Sequence, residues 1–247
     1  MSNRSLGTII LAAGKGKRMD SKEVNKVALR LADKPMIVHA INLLEELTMK
    51  HIVVVIGFAK KSVIDILGNK VIFAEQSKRL GTAHAVSCGF KKMPKDVSDI
   101  LVINGDDSAF YTKQTIEKLI ELHFSSDAAL TLLTIEKDDP LGLGRIIRDV
   151  SGKILAVVEE KDATNMQRKI KEINPACYVF KTEFLNKYLN QVKKSGVTGE
   201  YYLTSLIGMG IENNEKVETF KAGNLLWRGV NTKDELAEAE KIFSAKT

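Results

Sequence analysis

Short runs of β-branched and other apolar residues alternate along the first half of the chain with longer stretches where apolar residues recur every three or four positions. Residues 6–13 are apolar nearly throughout, the pattern of a strand buried on both faces. Pro35 opens a stretch reaching residue 47 in which Ile37, Ile41, Leu44 and Leu47 share one helical face. Residues 51–56 predict a strand, 61–67 a short helix, 70–74 a strand and 82–93 a helix. Residues 99–103 predict a strand ending at Asn104-Gly105-Asp106-Asp107. Residues 112–124 predict a helix with Thr112 as its N-cap. This alternation over about 110 residues predicts parallel βαβ units and a doubly wound, mostly parallel sheet, an α/β fold.

After Ala128 the texture changes. Residues 128–135, 145–149, 154–159 and 172–180 read as strands, with a Ser151-Gly152 turn between the middle two. Helices are predicted at 182–193, 202–212 and 232–244. No Pro-rich or Gly/Ser-rich linker divides the halves, so residues 1–247 read as one domain. It comprises a first half (1–127), a smaller β portion (128–231) and a closing helix (232–247). No hexapeptide periodicity is present, so no left-handed β-helix is expected in these residues.

Composition narrows the class without naming it. Hydrophobic residues at 44% and charged residues at 28% suit a globular core and not a disordered chain. The longest apolar run, 51–59, falls far short of the ~20 residues of a membrane span. No leader with an apolar centre and cleavage site opens the sequence. The two cysteines, Cys88 and Cys177, sit among apolar neighbours and imply a reducing compartment, hence a cytoplasmic protein. The net charge is +6. Residues 14–34 hold seven basic side chains against three acidic ones, so two-thirds of the excess is local. No basic stripe interleaved with aromatics marks a nucleic-acid surface.

That basic segment follows the first strand as Leu11-Ala12-Ala13-Gly14-Lys15-Gly16-Lys17-Arg18-Met19. Gly14 and Gly16 let backbone N–H groups approach a polyanion. Arg18 adds a planar fork for phosphate oxygens, and Lys26 a mobile point charge. The loop is neither a P-loop nor a dinucleotide fingerprint, since Met19 stands where a third Gly belongs. A triphosphate or pyrophosphate is the implied ligand. Asn104-Gly105-Asp106 ends a strand at the carboxyl edge of the sheet, where open α/β folds bind ligands. A single Asp there suits Mg²⁺, which takes few protein ligands. Asp106 could equally be a turn former, and Asn231 the N-cap of the closing helix.

The loop, together with a following lysine and Ala32-Asp33-Lys34-Pro35-Met36, resembles the signature of the sugar-1-phosphate nucleotidyltransferases. Within that family the likeness is greatest to the uridylyltransferase domains of bacterial bifunctional N-acetylglucosamine-1-phosphate uridylyltransferase/glucosamine-1-phosphate acetyltransferases. It runs through ordered motifs along almost the whole chain. The resemblance implies that 1–127 binds the nucleotide and 128–231 the sugar. It implies that Leu11, Ala12, Ala13, Gly14 and Gly16 hold phosphates, with Gly105 and Thr82 beside them, and that Gln76 and Gly81 read the uracil. Asp106 and Asn231 would hold Mg²⁺. Gly144, Glu159, Asn174, Tyr202 and Thr204 would meet the sugar. The implied reaction joins UTP to a sugar 1-phosphate, with N-acetylglucosamine 1-phosphate first among the candidates, releasing pyrophosphate, with Arg18, Lys26 and Asp106 as catalytic groups. Such a protein would supply cell-envelope precursors.

Five departures qualify the match. Glu23-Val24-Asn25-Lys26 lacks the usual Pro before the phosphate lysine, which frees one φ angle and predicts a looser loop. Asn104 replaces an aromatic residue. Asn174 is followed by Pro175-Ala176, and Leu143 replaces a Tyr. Asp107 replaces a small apolar residue and is given no role. The alternatives are a pyrophosphorylase for another nucleotide or sugar phosphate, or a catalytically silent UDP-sugar-binding protein.

Overall fold

A computed structural model describes residues 4–16, 23–223 and 225–244. Its strands and helices, in chain order, are β1 (Leu6–Ala12), β2 (Arg30–Leu31), β3 (Lys34–Pro35), α1 (Met36–Glu46), β4 (His51–Ile56), α2 (Lys60–Leu67), β5 (Ile72–Glu75), α3 (Thr82–Phe90), β6 (Asp99–Asn104), α4 (Lys113–Ser126), β7 (Leu130–Glu136), β8 (Gly144–Arg148), β9 (Ile154–Val158), β10 (Glu172–Asn174), β11 (Tyr178–Lys181), α5 (Thr182–Tyr188), α6 (Ser205–Glu212), β12 (Val217–Lys221) and α7 (Lys233–Ser244).

Ten of the strands form one sheet in the order β5-β4-β1-β6-β11-β7-β10-β8-β9, with β12 on the other edge of β7. The pairs from β5 to β6 are parallel, as expected of the first half. From β6 onward the ladder is antiparallel, apart from β12 against β7. The chain winds outward from β1 through β4 to β5, then returns to lay β6 on the opposite side of β1. The winding direction therefore reverses between β1 and β6, which opens a crevice at the carboxyl ends of these strands.

Side chains alternate across the sheet, so neighbouring fully buried residues serve two separate cores. Ile10, Val54, Leu101 and Leu133 pack on one face with Ile37, Ile41 and Leu44 of α1 and Leu119 of α4. Ile9, Val53, Val55 and Val102 pack on the other with Val86 of α3, Phe184 of α5 and Leu206 of α6. α4 is capped as its sequence predicts: Thr115 N donates to Thr112 Oγ1 at 3.1 Å.

Several expectations need correction. The single strand expected at 172–180 is two strands. Pro175 lacks an N–H and Ala176 takes φ 61°, so the ladder breaks there. Ala176 N donates to Asn174 Oδ1 at 3.1 Å, and the Tyr111 hydroxyl donates to Pro175 O at 3.1 Å, which fixes the break. The helix expected at 182–193 ends at Tyr188, with a 3₁₀ turn at Leu189–Gln191 after it. The helix expected from 202 begins at Ser205, because Tyr201 and Leu203 are bound to Leu80 and to the first residues of α3. β12 and the β2–β3 hairpin were not anticipated.

Candidate active site

Parallel strands bring four loops to one edge. Residues 13–16 follow β1, 57–59 follow β4, 76–81 follow β5 and 105–107 follow β6. Two adjoining cavities open there. One, of about 460 Å³, is lined by residues 11–16, Lys26, Gln76, Arg79, Gly81, Thr82, Asp106, Glu200 and Asn231. The other, of about 190 Å³, lies between β6 and the second half of the chain. Its walls include Gly144, Glu159, Asn174, Thr204, Trp227 and Asp107. Leu11, Thr82, Asn104, Asp106 and Asn231 line both, so they form the junction.

At that junction Lys26 is ion-paired to Asp106 Oδ2, and its Nζ donates to Asn231 Oδ1 at 2.9 Å. These residues come from three distant parts of the sequence. The side chains of Lys26 and Asp106 are each only 13% exposed, so the pair is screened weakly by solvent. A carboxylate and an amide carbonyl thus already converge on one cation.

The φ angle that the missing proline was expected to free is held in place behind Lys26. Asn25 has φ −67° and ψ 144°, the backbone that a proline would impose. Its Nδ2 donates to Ala12 O at 2.9 Å and Phe58 O at 2.7 Å, and its Oδ1 accepts from Val27 N at 3.1 Å. Asn25 is 1% exposed and ties the loops after β1 and β4 to the segment carrying Lys26. Gly16 has φ 59°, and a Cβ there would stand 3.0 Å from Lys26 Cβ, so only glycine lets the loop pass the lysine without strain. The Lys15 ammonium lies 5.4 Å from the Phe58 ring centroid.

Gln76 is 5% exposed at the end of β5. Its Nε2 donates to Gly81 O at 3.0 Å and to His84 Nδ1 at 3.0 Å. Gly81 has φ 109°, and a Cβ on it would lie 2.4 Å from Tyr201 O. The reason is a tight ladder: Tyr201 N donates to Leu80 O at 2.7 Å and Ala83 N to Tyr201 O at 2.9 Å.

In the smaller cavity the Thr204 hydroxyl donates to Glu159 Oε1 at 2.9 Å. Burial pushes the Glu159 carboxyl above the usual range, and the Thr204 hydrogen bond only partly offsets it. Asn174 Nδ2 donates to the Tyr178 hydroxyl at 2.5 Å. Asp107 is almost fully buried. Burial first, and then the neighbouring Asp106 charge, push its carboxyl well up; Asn104 Nδ2 donates to its Oδ2 at 3.2 Å.

Most residues expected at the site therefore gather there. Gly105 lines neither cavity; a Cβ on it would meet Ile37 Cδ1 at 2.9 Å, so core packing demands that glycine. Tyr202 also lies outside the smaller cavity. It accepts from Thr198 Oγ1 at 2.6 Å and lines a neighbouring cleft of about 670 Å³ with Glu159 and Thr204. Arg18 lies outside the described residues. Arg79, Glu200, Asn25 and Trp227 were not anticipated. Only Asn25 carried a signal, as the residue occupying the missing proline's place.

Fold and site define a class. The chain matches the nucleotidyl transferase family over residues 7–245 and belongs to that family. It is 38% identical over 238 residues to the bifunctional protein GlmU of Thermoanaerobacter pseudethanolicus, covering 96% of this chain and 51% of that protein. It is 40% identical to the bifunctional protein GlmU of Staphylococcus epidermidis, covering 96% of this chain and 52% of that protein. The chain thus spans about half the length of the curated relatives it matches. The fold is shared with a Bacillus anthracis crystal structure described as a glucose-1-phosphate thymidylyltransferase in complex with a sucrose, at TM-score 0.82 and 22% identity, covering 97% of this chain and 95% of that one. Among the described residues no helix is long and apolar enough to cross a membrane.

Proposed function

We propose that this chain is a sugar-1-phosphate uridylyltransferase that makes UDP-N-acetylglucosamine and pyrophosphate from UTP and N-acetylglucosamine 1-phosphate. One observation carries the reading: Lys26, Asp106 and Asn231 meet where the two cavities join. A nucleoside triphosphate in the larger cavity and a sugar phosphate in the smaller would bring their phosphates together at that point. The 40% identity to a GlmU relative supports the choice of uracil and of N-acetylglucosamine.

The chemistry asked of the protein is modest. A sugar phosphate oxygen attacks the α-phosphorus in line, and pyrophosphate leaves. The nucleophile is already an anion, so no general base is needed. Positioning and neutralisation of charge supply the rate. Residues 13–16 line the larger cavity, where their backbone N–H groups would meet the leaving pyrophosphate and Lys26 would offset charge on the α-phosphate.

The donor set fits Mg²⁺. Asp106 Oδ2 and Asn231 Oδ1 are hard oxygen donors that share one cationic partner in this structure. No group of three or more His, Cys, Asp or Glu suited to a metal occurs among the described residues. Two protein ligands are enough for an ion that keeps water and phosphate in its shell. Asp106 and Asn231 would hold it, and its charge would then stabilise phosphate oxygens. The reading places the enzyme in the cytoplasm, where it would supply a cell-envelope precursor.

The test is a substrate panel: pyrophosphate release with Mg²⁺, each of UTP, CTP, dTTP, ATP and GTP, and each of several sugar 1-phosphates. Release is expected with UTP and N-acetylglucosamine 1-phosphate above all others. No release from any pair, together with tight binding of UDP-sugars, would establish a silent binding protein instead.

A further inference from the structure

The amide of Gln76 can face the larger cavity in two ways. With the carbonyl outward it accepts a hydrogen bond, and with the NH₂ outward it donates one. The two orientations select different bases, so whatever fixes the amide fixes the base.

Two neighbours fix it. Gly81 O lies 3.0 Å from the Gln76 amide nitrogen, and a backbone carbonyl can only accept. The NH₂ must therefore point at Gly81. The second N–H of the same nitrogen meets His84 Nδ1 at 3.0 Å. That contact is a hydrogen bond only if Nδ1 carries a lone pair, which puts the imidazole proton on Nε2. Both amide hydrogens are then committed inside the protein. Gln76 Oε1 has no donor among the described residues, and Gln76 lines the cavity. Gly81 cannot shift to relax this arrangement, because Tyr201 holds the segment on both sides.

We propose that His84, in its Nε2-protonated tautomer, is a positioning residue that holds the Gln76 amide with its oxygen toward the nucleotide. The pocket is thereby restricted to bases that present a ring N–H at that point. Uracil and thymine have such an N–H at N3. Cytosine has a lone pair there and would face Oε1 as acceptor against acceptor. The inference rests on the proposed nucleotide site and adds to it the group that sets its polarity. His84 itself lies on α3 behind Gln76 and makes no contact with the base in this account.

The test uses the whole chain. Binding of UTP and CTP is measured by calorimetry, and kcat/KM for each by pyrophosphate release, for the parent protein and for His84→Leu, which keeps bulk and removes the acceptor. The parent is expected to favour UTP strongly. In His84→Leu the ratio of UTP to CTP is expected to fall about tenfold or more, the scale of one mispaired buried polar group, while KM for the sugar phosphate stays constant. An unchanged ratio in an active variant would overturn the role of His84 and leave the uridylyltransferase reading intact. Absence of binding of any nucleotide to the parent would overturn both. Should His84→Leu fail to fold, ¹⁵N spectra of the parent read the tautomer directly. In the neutral ring an unprotonated Nδ1 is expected, and a protonated Nδ1 there would refute the proposal.

Discussion

Glu159 and Gly81 show how single residues make the site testable. Glu159 sits buried beside Thr204, and burial holds its carboxyl above the ordinary range. If its carboxylate accepts sugar hydroxyls, the neutral form binds them poorly. KM for the sugar phosphate is then expected to rise as pH falls, beginning at a higher pH than an ordinary glutamate would allow. In Glu159→Gln this pH dependence is expected to vanish, with KM raised about tenfold at neutral pH. A Glu159→Gln profile that matches the parent would remove the residue from the sugar site. Gly81→Ala is expected to cost at least ~2 kcal/mol in thermal unfolding, since a Cβ would strike Tyr201 O with the backbone at φ 109°. An unshifted melting curve would contradict the tight ladder at Tyr201. Lys26, Asp106 and Gln76 were legible in the sequence because their motifs pair a chemical type with a strand end. Asn25 was not, because a sequence does not reveal that an asparagine adopts proline's φ and staples two loops with its amide. Gly105 shows the converse: a glycine demanded by packing against Ile37 looks the same in a sequence as one demanded by a ligand.

Elements built from long apolar runs were the easiest to read. β1, β4 and β6 are buried on both faces, and their sequences leave little room for another structure. Elements set by a few residues were harder. β12 lies at an edge with no fully buried residue, so its alternation carries little contrast. The break between β10 and β11 depends on Ala176 taking φ 61°, which nothing local announces. The hairpin between β2 and β3 turns through Ala32 and Asp33, at φ 46° and 63°. Two left-handed residues in a two-residue loop form a type I′ turn, for which alanine is poorly suited. Ala32→Asn is expected to raise stability by about 1 kcal/mol in denaturant titrations, and an unchanged midpoint would argue against strain there. At the start of β6 Asp99 is fully buried. Burial raises its carboxyl, but hydrogen bonds from His123, Arg4 and Ser98 outweigh this and leave it at about 2 against the ordinary 3.8. A lowered carboxylate stabilises the fold above its unfolded value and loses that contribution as pH falls. Between about pH 4 and pH 2 the protein is therefore expected to lose roughly 2 kcal/mol through Asp99 alone. Acid titrations of Asp99→Asn should lack that part of the slope.

At the scale of the molecule, the sheet explains why the site lies where it does. The reversal of winding between β1 and β6 opens the crevice, and the antiparallel half folds Glu159, Asn174 and Thr204 over its far side. Of the basic residues in 14–34, Lys15 and Lys26 stand on the wall of the larger cavity. Two departures favoured a silent binding protein, the altered segment before Lys26 and Pro175, and Asn25 preserves the backbone at the first of them. In the proposed function Lys26, Asp106 and Asn231 form the working centre for nucleotidyl transfer. The most direct measurement is pyrophosphate release from UTP and N-acetylglucosamine 1-phosphate by the parent and by Asp106→Ala, with circular dichroism to verify the fold of both. Turnover by the parent and a loss of at least about a hundredfold in the folded variant are expected. Equal pyrophosphate release by the two proteins would contradict the account.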